Sequence, residues 1–348
     1  MPPRVALLAP FASPSVRGNA ITVERIGANL RARGVTAERW DLSTTPAADV
    51  EREVAAFAPG LIHAFHAYRV GPPALELARR LEVPLLVTIT GTDGNHDLVD
   101  PARAATVRDV LAGALAITVF HASMATRLEE AVPGLGSRIR VVPQSVWFEP
   151  ASPAAPDPFP EIGAGPLLLF PAGIRMVKNP LFPLAPLDAV AARRPELRLL
   201  YVGPILDPAE GEALRAALAG RPWARYGGAV PHARMPAVLA RAQVVLNCSL
   251  SEGGMANSVL EALHAGRAVV ASDIEGNRAL VEDGVTGFRY RTPADFADRI
   301  ERLLADPELA ERLGRAGREL VATRFGPARE IDGYLEVYER LGAALRAP

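Results

Sequence analysis

Short apolar runs and longer amphipathic stretches alternate along nearly the whole chain. In the first half, strand-length runs lie at 4–10, 37–41, 60–65, 84–89, 114–119 and 139–142, and most have the unbroken apolar character of strands buried on both faces. Between them, helical spacing runs through Ile21, Ile26 and Leu30, over Ala47–Phe57, over 72–81 and over 123–131. The second half repeats the rhythm, with strands at 167–173, 198–203, 224–226, 242–250 and 267–271. Helices are predicted over 208–219 and 235–240, from Ser258 onward, and in three charged amphipathic stretches at 294–304, 307–322 and 327–345. Such alternation predicts doubly wound parallel sheets, whose ligands sit beyond the carboxyl ends of the strands. The segment 149–166 breaks the pattern with six prolines and reads as a linker. A chain of 348 residues is long for one core, so two α/β domains are expected, 1–148 and 167–326.

One stretch, Asn247 to Phe288, concentrates the chemistry. An apolar run leaves the sheet and turns on Gly253 and Gly254, and the helical spacing of Val259, Leu260 and Leu263 follows. Strand, glycine loop and helix aim free backbone N–H groups and the positive end of a helix dipole out of the sheet edge, an arrangement suited to phosphate. Glu252 opens the loop and Glu261 lies in the helix. A carboxylate accepts two hydrogen bonds from a diol, so sugar plus phosphate is the implied ligand.

These words resemble the donor-site signature of retaining GT-B glycosyltransferases of family 4: an acid, a glycine-rich loop and a second acid followed by Ala. The family places seven residues between the acids, and this chain has eight between Glu252 and Glu261. The likeness extends over nearly the whole chain and is most specific in SEGGMANSVLEA and GIRMVKNP. It is closest to the glycosyltransferase 1 domain-containing proteins, with a weaker likeness to selenosugar synthase. The resemblance implies two Rossmann-like domains facing across a cleft, with the last helix, 327–348, packing back on the first. It implies a nucleotide-sugar donor, UDP-sugar first among the candidates, as co-substrate, with no cofactor and no metal. Glu252 and the segment Gly253, Gly254, Met255, Ala256, Asn257 and Ser258 would hold the donor sugar, and Glu261 the ribose. Arg175 and Lys178 would neutralise the diphosphate, meeting the need for fixed cations as the nucleotide leaves. Gly173 and Gly203, at strand ends on the ligand edge, would line the donor pocket, as would the loop Val230-Pro231-His232. His264 reads as packing.

The first half offers the acceptor side. Gly18 and Asn19 sit where a helix begins, as a plain turn or, as in the family, a glycine-rich loop near the donor phosphates and acceptor. His63 and His66 end a strand with a spacing that suggests metal, but no third ligand stands nearby, and hydrogen bonding or substrate contact is the better reading. Many family members have a histidine after the strand that here ends at Ile89. This chain has Thr90-Gly91-Thr92-Asp93 instead, and Asp93 or His66 is left to orient or deprotonate an acceptor. Asp93 reads equally as a helix cap.

Composition narrows the classes. Hydrophobic residues make up 49% and the net charge is −1, a globular composition with no electrostatic case for nucleic acid or an acidic membrane surface. Cys248 is the only cysteine, so no disulfide framework is expected. No apolar run has the length of a signal peptide or membrane span, which makes the cytoplasm the expected location. Two further readings stay open. A selenosugar synthase would need an anionic chalcogen acceptor, held by Arg17, Arg25 or Arg69; an inactive sugar-nucleotide-binding protein would share the cleft without turnover. The sugar, the acceptor, whether small molecule or glycan, and the oligomeric state are not written in the residues.

Overall fold

A computed structural model of the chain describes residues 4–11, 18–148, 158–163, 165–252 and 254–344. The chain divides into two compact units, the first running to Ser145 and resuming at Gly326, the second spanning Val146–Phe325. The predicted linker falls largely outside the described residues, and the chain enters the second unit three residues before the expected domain end at Phe148.

The first unit is built from β1 (Val5–Ala9), α1 (Gly18–Ala32), β2 (Ala37–Asp41), α2 (Ala47–Phe57), β3 (Leu61–Phe65), α3 (Gly71–Leu81), β4 (Leu85–Thr88), α4 (Ala104–Gly113), β5 (Ala116–Val119), α5 (Ala122–Ala131) and β6 (Ile139–Val141). The strands form one parallel sheet in the order β2-β1-β3-β4-β5-β6. Val5 lies opposite both Ala37 and Leu61, and every residue of β1 and β3 is buried, which explains their unbroken apolar run. The strand order reverses between β1 and β3, so a ligand crevice is expected beyond those two strand ends. A π-helical turn, Asp93–Asp97, and α4 have no counterpart among the predicted elements. The buried face of α4, Ala104, Val107, Val110 and Leu111, has helical spacing, but the helix is only ten residues long and one of these four is alanine, which gives little amphipathic signal.

The second unit contains β7 (Leu167–Pro171), α6 (Leu184–Arg193), β8 (Arg198–Val202), α7 (Pro208–Leu218), β9 (Ala224–Tyr226), α8 (Met235–Arg241), β10 (Val244–Asn247), α9 (Asn257–His264), β11 (Ala268–Ser272), α10 (Glu275–Arg278), β12 (Phe288–Tyr290), α11 (Pro293–Ala305) and α12 (Pro307–Arg324). Its sheet is again parallel, in the order β12-β11-β10-β7-β8-β9. Val244 of β10 lies opposite Leu168 of β7 and Ala268 of β11. Here the order reverses between β7 and β10, so the loops after these strands flank the switch point. Behind them, α12 comes very close to the turn that ends α9. A Cβ on Gly314 would lie 2.1 Å from the Gly266 carbonyl oxygen, so only glycine permits the approach that fixes the helix carrying Glu261.

The last helix, α13 (Pro327–Ala344), belongs to the first unit. Ile331, Tyr334, Val337, Tyr338 and Leu341 are buried in one cluster with Val5, Leu7, Ile26, Leu30 and Phe65. Each such side chain contributes roughly 1.5–3 kcal/mol by leaving water.

Candidate active site

The loops after β7 and β10 are joined at the switch point, where the Leu250 N–H donates to the Val177 carbonyl at 2.9 Å. The β7 loop tightens into a short turn, Met176–Lys178, which aims Lys178 at the Glu252 carboxylate. That carboxylate collects three donors on one oxygen: the Lys178 ammonium, the Ser249 hydroxyl at 2.7 Å and the Asn247 amide at 3.2 Å. Burial pushes the Glu252 carboxyl up, but Lys178 and the two neutral donors outweigh it and hold it below the ordinary carboxylate range. Glu252 is therefore an anion at neutral pH, set against a cation where the sheet offers its ligand crevice. Arg175, just ahead of the turn, is exposed.

A further layer holds this pair in place. Asn277 donates from Nδ2 to Asn247 Oδ1 at 3.1 Å, and the Ser272 hydroxyl donates to the Ser249 carbonyl at 2.7 Å. The loop after β11 is thus bonded to the loop after β10. The two also press together, because a Cβ on Gly276 would lie 2.4 Å from the Gly254 carbonyl oxygen and 2.7 Å from Glu252 Cβ. On the other side, Gly203 has a φ of +151° and leaves room for only 2.1 Å between a Cβ and the Ala172 carbonyl oxygen. Glycine is obligatory at both points. Asn247, Ser249 and Asn277 were not among the expected site residues; Asn247 and Ser249 show only as polarity at the end of an otherwise apolar strand, and Asn277 lies in the short helix α10.

Glu261 forms a second cluster. It lies on α9, which starts at Asn257 behind the buried residues Gly254, Met255 and Ala256; Asn257 and Ser258 are half-buried, and Gly253 is outside the described residues. The His232 Nε2–H donates to Glu261 Oε1 at 2.9 Å. Gly173 and Gly203 are half-buried at the ends of β7 and β8. His264, expected in the packing, is instead exposed at the end of α9, with its ring tilted against Phe148 at 5.9 Å. Cys248, buried beside the site, is not a nucleophile, because burial pushes its thiol up to about 12.

In the first unit the structure holds the expected acid–base residues within their own loops. Asp93 is fully buried, and its carboxylate accepts backbone N–H groups of Ala67, Thr90 and Gly91 at 2.7–3.3 Å. It closes its own loop. His66 is also buried, with the Arg69 N–H donating to Nδ1 at 3.2 Å and Nε2 bonded to Thr92 Oγ1 at 2.9 Å. Its φ of +100° is strained for a residue with a side chain, a cost of order 1–3 kcal/mol at the end of β3 beside the switch point. His63 does not pair with it: its ring nitrogens bond Tyr338 Oη at 2.8 Å and Thr88 Oγ1 at 2.6 Å, and burial pushes its pKa down to about 3. Among the described residues, no three His, Cys, Asp or Glu side chains gather as a metal site would require. Gly18 and Asn19 begin α1, Gly18 exposed and Asn19 half-buried. Among the described residues, Arg25 and Arg69 do not come together as a cationic acceptor pocket. Arg25 is buried and paired with Glu330 through two bonds of 2.9 Å, Arg69 lies with its guanidinium 5.6 Å from the Phe11 ring centre, and Arg17 is outside the described residues.

Residues 165–306 match the family model described as glycosyl transferases group 1, and both clusters, Lys178–Glu252 and His232–Glu261, fall inside the match. The match lies wholly within the second unit. The whole chain is also 26% identical over 326 residues to glycosyltransferase 1 domain-containing protein 1 of Xenopus tropicalis, covering 91% of this chain and 92% of that one. In structure it is similar to a sucrose-phosphate synthase from Thermosynechococcus elongatus, with a TM-score of 0.80, 20% identity and coverage of 98% and 99% of the two chains. HepE of Anabaena, solved in complex with UDP and glucose, is similar with a TM-score of 0.76 and 16% identity over 97% and 99% of the chains. These likenesses show the GT-B fold. No helix among the described residues is long and apolar enough to cross a membrane. Within the matched segment the two acids lie on the loop and helix after β10, each with a basic partner from a different loop.

Proposed function

We propose that the protein is a retaining glycosyltransferase of family 4 that moves a hexosyl group from a nucleotide sugar, a UDP-sugar first, to a hydroxyl acceptor. The observation that carries this reading is the Lys178–Glu252 pair at the β7/β10 switch point, with Glu261 on the helix that follows the glycine loop. Lys178 and Arg175 would meet the diphosphate, Glu261 the ribose hydroxyls, and Glu252 with the amides of the glycine loop the sugar. Glu252 holds Lys178 in place until an anion arrives, so the ammonium needs little reorganisation to face a phosphate. UDP bound to HepE supports uridine as the first nucleotide to try.

In the reaction the bond from the anomeric carbon to the diphosphate oxygen breaks. A bond from the same face of that carbon to the acceptor oxygen forms, and the acceptor proton passes to the departing phosphate. This route needs no protein base, consistent with Asp93 and His66 being held inside their own loops. Positive charge from Lys178, Arg175 and the start of α9 would stabilise the leaving nucleotide without a metal. Gly18 and Asn19, at the switch point of the first unit, would serve the acceptor side.

The test is a thermal-shift titration with UDP, GDP and ADP, repeated on Glu261→Ala and Lys178→Ala. A ligand at a hundred times its dissociation constant adds about 2.7 kcal/mol to stability. One nucleotide should raise the melting temperature of the wild type, and both substitutions should abolish the rise. No rise with any of the three overturns the donor site. Turnover of the matching sugar nucleotide to a product with inverted anomeric configuration overturns the retaining assignment.

A further inference from the structure

We infer that His232 is a positioning residue for Glu261, and that it is set by an aromatic stack on the segment where the chain enters the second unit. The inference rests on the reading of Glu261 as the group that binds a nucleotide's ribose. A carboxylate offers only acceptors, so the His232 Nε2 that approaches Glu261 Oε1 at 2.9 Å must carry the proton and donate it. That bond commits one oxygen and fixes the plane of the carboxylate. The other oxygen is then presented in one orientation to a pair of hydroxyl groups. Both side chains are nearly buried, at 12% exposure for His232 and 10% for Glu261, so water does little to weaken the bond.

The imidazole is itself held. The Phe148 ring stacks on it at 5.3 Å between centres with 26° between planes, and the Trp147 ring lies at 6.5 Å and 25°. Phe148 also reaches His264 on α9, the helix that carries Glu261. The two aromatic residues come directly after Ser145 and Val146, and they precede the 165–306 glycosyltransferase match. Recognition of the ribose is thereby tied to the crossing segment of the chain, a dependence that the loops at the switch point do not reveal.

The experiment is calorimetric titration of wild type, His232→Ala, His232→Gln, Glu261→Gln and the His232→Ala/Glu261→Gln double variant. Each is titrated with UDP and with 2′,3′-dideoxy-UDP, or with the corresponding GDP or ADP pair if that nucleotide is the one bound. The wild type should prefer the ribonucleotide. His232→Ala should lose about tenfold or more on UDP, equivalent to about 1.4 kcal/mol, with little loss on the dideoxy compound. His232→Gln, which keeps an N–H donor, should recover much of the preference, and the double variant should bind no worse than Glu261→Gln. Equal losses of His232→Ala on both nucleotides would indicate a general packing defect and overturn the positioning role. So would full retention of the ribose preference. A wild type that binds UDP but ignores the sugar hydroxyls overturns this inference while leaving the diphosphate assignment intact. A wild type that binds no nucleoside diphosphate overturns both.

Discussion

At the scale of single residues, Glu252 shows how a buried acid is kept ionised and what that predicts. Its folded carboxyl lies below the ordinary range because Lys178, Ser249 and Asn247 together outweigh desolvation. The stability it contributes is therefore fully present above the pKa of an unfolded glutamate, about 4.3, and is lost as pH falls through the lower folded value. Glu252→Gln should cost about 1.5–3 kcal/mol near neutral pH, the usual contribution of hydrogen bonds to a charged group. The gap between wild type and variant in urea-unfolding free energy should close as the pH is lowered into the acid range. A gap of constant size down to acid pH would mean that the carboxylate does not titrate with folding. Glu252, Lys178 and Glu261 were expected from the sequence because two acids bracket a glycine loop and its following helix, and a cation follows a glycine-ended strand. Asn277 was not, because it acts through another side chain brought close only by the fold, and His232 was expected only as part of the pocket lining, its bond to Glu261 being made by the fold. Asp93 was ambiguous for the opposite reason: cap and base need the same residue type, and only burial and backbone partners separate them.

At the scale of elements, the same contrast separates strands from their fastenings. Strand positions other than β12 were readable to within two or three residues because a strand buried on both faces leaves a continuous apolar run, whereas Phe288–Tyr290 is three residues long with an arginine at its centre. Which strands are neighbours was not, because pairing such as β1 with β3 or β7 with β10 joins segments far apart in sequence. Least visible of all was the buried ion pair that fastens α13 to α1. Arg25 Nε and Nη2 both donate to Glu330 at 2.9 Å, and the Ser145 hydroxyl adds a bond of 2.6 Å to the same carboxylate. Ser145 is the last residue before the chain leaves the first unit, and Glu330 comes four residues after its return at Gly326. Both passages of the chain are thus anchored on one carboxylate. Removing it would leave a buried guanidinium without a counter-charge, so Glu330→Ala should destabilise the first unit by about 3–5 kcal/mol. The Arg25→Met/Glu330→Leu pair should recover much of that loss in denaturant unfolding, because the burial cost of both charges disappears together. A double variant as unstable as the single one would show that α13 is held by the charges themselves and not by its apolar face.

At the scale of the whole molecule, the first unit is discontinuous in sequence. The second unit is continuous from Val146 to Phe325, whereas the first needs its last helix from beyond that point. Tyr338 supplies the partner of His63 Nδ1, and the buried face of α13 covers β1, β3 and α1. Without the helix, His63 would lose a bond in the middle of the sheet, and Val5, Leu7 and Phe65 would meet water. A chain ending at Phe325 should therefore lose the slow amide exchange of β1, β3 and β4, while β7, β8, β10 and β11 keep theirs, because no residue of α13 belongs to the second unit's cluster. Exchange mass spectrometry on peptides from the two sheets reads this directly. Loss of protection in both sheets would show that the second unit cannot stand without the first. Unchanged protection in both would show that α13 contributes packing the first sheet does not need. The expected pattern, one sheet open and one closed, makes the C-terminal helix the element that commits the N-terminal half to its fold, so that half completes its core only after the rest of the chain has been made.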